Sequence, residues 1–116
     1  MQDLIDKLEK ATADEQESVL RDALAFAWQR GWLSRDTYNR AREWVDLGAY
    51  ESAALTLVPE GWSRLQKTAE HHENGFVVEL WRSWGPDAYK RISVRHQTEA
   101  IALCIAALKA RGGQSA

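Results

Sequence analysis

Gly48–Trp62, GAYESAALTLVPEGW, is where the chain changes its period. Up to Val58 the apolar residues recur at helical spacing, with Tyr50, Ala53, Ala54, Leu57 and Val58 on one stripe. Pro59 ends that helix, because a ring in place of the amide hydrogen cannot continue the hydrogen-bond ladder. Pro59-Glu60-Gly61 then supplies turn chemistry, and alternation with a period of two begins at Trp62. The chain therefore reads as one domain, 1–116, with a helical half over 1–58 and a sheet plus closing helix over 62–112.

Upstream of this boundary three more helices are legible. Leu4, Ile5, Leu8 and Ala11 form the first stripe. Thr12 stands three residues before Glu15, the capping-box spacing, which predicts a second helix running to about Arg30 and a corner at Gly31. Its inward stripe is Leu20, Ala23, Leu24 and Ala27, so Phe26 and Trp28 lie on flanks that another element must cover. Ser34 is the expected N-cap of a third helix with Asp36 in its first turn, Tyr38, Ala41, Trp44 and Val45 at helical spacing, and Gly48 at its end.

Downstream, Trp62–Thr68, Phe76–Trp84 and Ala88–His96 read as strands separated by the turn chemistry of Asn74-Gly75 and Gly85-Pro86-Asp87. They predict a three-stranded antiparallel meander. Alternation assigns Phe76, Val78, Leu80, Ile92 and Val94 to the buried face, and Val77, Glu79, Trp81, Tyr89, Arg91, Ser93 and Arg95 to the other. A last helix from N-cap Thr98 to Gly112 buries Ile101, Cys104, Ile105 and Leu108, and Gln114–Ala116 are expected to fray. The expected fold is α+β: N-terminal helices, a three-stranded antiparallel sheet and a C-terminal helix in a layered α/β/α sandwich, which leaves open whether the helical half covers the outer strand face.

Three stretches carry a resemblance to a known family: LIDKLEKAT at Leu4–Thr12, GAYESAALTLVPEGW at Gly48–Trp62 and TEAIALCIAALKARGG at Thr98–Gly113. Together they resemble the phage ABA sandwich domain, found in small phage and prophage proteins whose biochemical activity is not established. The resemblance implies a helix end and strand start around Pro59, then a sheet, then a last helix. Glu99 stands where the family often has proline, and a carboxylate in the first turn meets the positive end of the helix dipole, so an electrostatic start signal replaces a conformational one.

Composition narrows the function classes. Hydrophobic residues at 45% and charged residues at 28% describe a soluble chain that packs a core. No stretch approaches the roughly 18 consecutive apolar residues of a membrane span, and Met1–Lys10 is charged where a secretory leader would be basic and then apolar, so the expected location is the cytoplasm of a host cell. Cys104 is the only cysteine; it allows no internal disulfide and reads as core. The net charge is −2, with 7 Lys and Arg against 12 Asp and Glu in residues 1–61, and 8 against 5 in residues 62–116. Opposite signs on two halves fall short of the basic excess of a dedicated phosphate-backbone binder.

Candidate chemistry is sparse. His71-His72-Glu73 offers metal-ligand types, but adjacent loop residues rarely converge on one ion, and no second cluster stands at ligand spacing. No serine elbow or glycine-rich phosphate loop is present. The helix, three strands and helix from Tyr50 onward resemble the order of a double-stranded RNA-binding domain without its basic loop. Six tryptophans remain: Trp44 and Trp62 sit at element ends that must pack, whereas Trp81 and Trp84 stay open between core and anchor. Trp81, Arg82, Tyr89, Arg91, Arg95 and His96 mix cations with aromatics on neighbouring strands, the composition of a solvated face or of a binding surface. Trp81, Trp84, Tyr89, Arg91 and Arg95 are the candidate binding residues. The expected function is that of a non-enzymatic phage or prophage accessory protein that needs no cofactor and binds a host or phage protein, for instance to inhibit a host defence system as anti-CRISPR proteins do. Homo-oligomerisation stays open, no membrane is involved, and the alternative is a nucleic-acid or small-ligand module using the outer sheet face.

Overall fold

The helix α5 (Glu99–Leu108) has no polar side, since every residue from Ala100 to Leu108 is buried. A helix apolar all round is stable only where other elements surround it. In the computed structural model, which describes residues 1–64, 75–82 and 90–113, they do. The strands β2 (Phe76–Arg82) and β3 (Arg91–His96) pack on α5, as do α1 (Gln2–Lys10), α2 (Gln16–Gln29) and α4 (Tyr50–Leu55) from the helical half. The stripe Ile101, Cys104, Ile105 and Leu108 is buried as expected, but Ala102, Leu103, Ala106 and Ala107 are buried too. Each fully buried Leu or Ile contributes about 1.5–3 kcal/mol relative to an exposed position, and this term, more than helix propensity, fixes α5 at the centre.

The caps legible in the sequence are made. Thr12 and Glu15 form the capping box, with the Thr12 amide donating to Glu15 Oε1 at 3.0 Å, and a short 3₁₀ turn at Ala13–Glu15 leads into α2. These bonds hold the exposed Glu15 carboxyl below its ordinary pKa. Ser34 accepts from the Thr37 amide at 3.2 Å and starts α3 (Arg35–Asp46); Thr98 accepts from the Ile101 amide at 3.4 Å and starts α5. α4 closes before Pro59 with two tight bonds, Leu57 N to Ala54 O and Val58 N to Leu55 O, and β1 (Trp62–Arg64) follows a Pro59–Trp62 turn.

The sheet order is β1-β2-β3, an antiparallel meander. Val78 and Leu80 of β2, and Ile92 and Val94 of β3, meet α5 as alternation requires. The α+β class and its elements stand, but the order of the layers differs from an α/β/α sandwich: α5 lies between the sheet and the helical half, so the sheet is an outer layer. Among the described elements none of α1–α4 packs extensively on the strands. The expected strand residues 65–68, 83–84 and 88–89, the Gly85-Pro86-Asp87 turn and the tail 114–116 lie outside the described residues.

Two side chains tie helix ends to distant elements. Arg111, in a wider helical turn over Lys109–Gly113, donates from Nε to the Leu57 carbonyl at 2.6 Å and lies over the Trp32 ring at 5.2 Å. It thereby satisfies a carbonyl left over at the end of α4. Desolvation lowers its pKa, but a guanidinium stays charged at any physiological pH. The second tie, His96, belongs to the candidate site.

Two outcomes test this core. Gly75 enters β2 at φ 107°, and a Cβ there would lie 2.8 Å from Gln97 Cα and closer still to the His96 carbonyl oxygen. Gly75→Ala should therefore cost more than about 1 kcal/mol in a urea titration, where an alanine at an open site would gain a few tenths. Cys104 is fully buried, and desolvation pushes its thiol up to about 12. A thiol reagent should label it only through unfolding, at a rate that climbs with urea; fast native labelling would contradict the packing.

Candidate functional site

β3 alternates cleanly: Ile92, Val94 and His96 are buried, while Arg91, Ser93 and Arg95 are exposed. Opposite them on β2, Val77, Glu79 and Trp81 are half-buried. The register forms three rows on the outer face. Ser63 of β1, Trp81 and Arg91 lie in one row, Glu79 and Ser93 in the next, Val77 and Arg95 in the third. Directly opposite residues share a face with Cβ atoms about 4.5–5.5 Å apart, so Arg91 and Trp81 are cross-strand neighbours. Four residues of strand separate Arg91 from Arg95 by roughly 13 Å, and Glu79 sits diagonally between them. The face is a row of alternating sign, with an aromatic at one end.

The structure thus brings together Trp81, Arg91 and Arg95, and neither arginine joins an ion pair among the described residues. Trp84 and Tyr89 lie outside the described residues. Trp44 and Trp62 pack against the core, as their positions at element ends require. Arg82 and His96 do not belong to the set. Alternation puts Arg82 on the Leu80 face, and His96 is 8% exposed on the Val94 face. Similar composition had grouped residues that the pleat separates.

His96 instead joins three elements. Its Nδ1 accepts the Thr98 amide at 3.1 Å, so the proton sits on Nε2, and the ring lies near the end of α1, where the backbone carbonyls of Ala11, Leu8 and Glu9 act on its charge. Those carbonyls favour a cationic ring, yet burial outweighs them and lowers the His96 pKa. Nearby, Glu9, Lys10, Thr12, Arg95 and Gln97 line an open cleft of about 380 Å³.

A second surface escaped the sequence analysis. Trp28 and Tyr38 stack at 5.1 Å and 13°, Arg42 lies over the Tyr38 ring at 5.5 Å, and Trp28 remains 38% exposed. Phe26 is covered edge-on by Trp32 at 5.8 Å and by Arg30 at 4.7 Å. The expected cover is therefore met for Phe26 and not for Trp28, whose ring stacks on Tyr38 yet stays open to solvent. The available signal was the short corner at Gly31: two antiparallel helices joined there must set the Arg21–Ala25–Trp28 stripe of α2 against the Tyr38–Arg42–Asp46 stripe of α3.

Among the described residues no group of three His, Cys, Asp or Glu side chains is placed to hold a metal ion, and His71-His72-Glu73 lies outside them. Nor is any described helix long and apolar enough to cross a membrane.

The lowered His96 pKa sets a pH dependence. Above about pH 6.5 the ring is neutral folded or unfolded; as pH falls below that value the unfolded chain takes the proton first, so stability declines until the folded ring also protonates. The urea midpoint should drop between about pH 7 and pH 5, and His96→Gln should flatten that part of the slope even if it lowers the midpoint overall.

Compared with known proteins, the chain matches no protein-family model, no curated protein and no solved structure.

Proposed function

We propose that this is a non-enzymatic accessory protein of a phage or prophage, which binds a host or phage protein through the outer face of its sheet and so occludes that partner's surface. The observation that supports this reading is the Trp81–Arg91 cross-strand pair, with Arg95 exposed beyond it, on the face opposite α5. Trp and Arg are over-represented among residues whose truncation weakens protein complexes, because each combines large contact area with a directional polar group. The phage setting and an inhibitory role against a host defence system rest on the resemblance of Leu4–Thr12, Gly48–Trp62 and Thr98–Gly113 to the phage ABA sandwich domain.

Nucleic acid is the weaker partner for this face. A polyanion gains from uninterrupted positive charge, and Glu79 sits between the two arginines. A protein surface bearing both signs can complement such a row, and the mismatch with a uniform charge adds selectivity.

The test is a tagged pull-down from infected-host lysate followed by affinity measurement on variants. Arg91→Ala with Arg95→Ala should leave the urea midpoint nearly unchanged, since exposed charges contribute about 0–1 kcal/mol each. The double variant should slow association with the partner and flatten its salt dependence, whereas Trp81→Ala should speed dissociation. Salt-dependent retention on nucleic acid, lost in the double arginine variant, would reverse the preference between partners.

A further inference from the structure

The α2–α3 face holds a feature that the sheet does not explain. Facing stripes of the two helices pair Arg21 with Asp46 at one end and stack Trp28 on Tyr38 at the other. Between these ends Ala25 is too small to meet Arg42, and a notch of about 330 Å³ remains, lined by Arg21, Asp22, Ala25, Tyr38 and Arg42. The neighbouring carboxylates are already engaged: Asp22 by Lys7, and both Asp46 and Glu17 by Arg21. Arg42 makes no ion pair among the described residues and is held by the Tyr38 ring.

We propose that this notch is a second docking site, which receives a glutamate or aspartate side chain of a protein partner on the Arg42 guanidinium, with Trp28 and Tyr38 as the apolar wall beside it. A guanidinium presents a planar fork that fits one carboxylate through two hydrogen bonds. Its aromatic neighbours are ordered by their stack, so little side-chain freedom is lost on binding, and Trp, Tyr and Arg are the residue types that dominate binding energy at protein interfaces. The partner is a protein segment that presents one acidic side chain and not a nucleic acid: Glu17, Asp22 and Asp46 are engaged by Arg21 and Lys7, so the notch offers the charge of Arg42 to a single carboxylate and no run of positive charge to a chain of phosphates.

The probe is a capped pentapeptide with one central glutamate, titrated against the intact protein while the Trp28 indole N–H and Arg42 Nε–H resonances are followed. Both should shift saturably, and the glutamine version of the peptide should bind at least about tenfold more weakly, one decade in affinity. Arg42→Gln should remove the preference for glutamate, and Ala25→Gln, which fills the notch at a half-buried helix position, should abolish both responses with the urea midpoint retained. Arg91→Ala with Arg95→Ala should leave the titration unchanged, which separates this site from the sheet face. Equal shifts from the two peptides, no saturable shift, or a stronger response to a single-stranded oligonucleotide would overturn the proposal.

Discussion

A helix with nowhere to put a polar face governs this structure. From Ala100 to Leu108 α5 offers water nothing, so both the sheet and the helical half must cover it. That requirement orients the strands. With Val78, Leu80, Ile92 and Val94 committed to α5, the period of two sends Trp81, Arg91 and Arg95 to the opposite side. The candidate binding face is thus a by-product of core packing, and its side chains are positioned by a rigid element.

The two ties at helix ends extend the same logic to the backbone. A helix leaves its last carbonyls without intrahelical donors. The His96 ring lies near the end of α1 and Arg111 donates to the Leu57 carbonyl beyond α4, each from an element far away in sequence. Both also lie next to α5: His96 bonds the amide of its N-cap, and Arg111 follows its last turn. The ends of α5 are thereby fixed in direction as well as in depth.

Much of this was legible in the residues. Helix stripes, the caps at Thr12, Ser34 and Thr98, the stop at Pro59 and the strand alternation follow from local chemistry that acts over a few positions. The burial of α5 is broader than its stripe because an amphipathic helix leaves one side to solvent, whereas here Ala102, Leu103, Ala106 and Ala107 are buried on the remaining sides too. His96 shows a different lapse. Its parity with Ile92 and Val94 was visible, but similarity to nearby arginines was given more weight than the pleat. The Trp28–Tyr38–Arg42 cluster depends on how two helices face each other across Gly31, which one helix's periodicity does not contain.

The position of α5 along the chain has a consequence for synthesis. It is the last of the described helices to leave the ribosome, yet it is the surface on which β2, β3, α1, α2 and α4 all rest. Until Leu108 has emerged, those elements carry apolar faces with no counterpart, and the contacts that complete the core join residues near opposite ends of the sequence. Such long-range closure slows folding, and exposed strands are prone to associate with other chains meanwhile. A chain synthesised only as far as Gln97 accordingly presents those apolar faces without the helix that covers them.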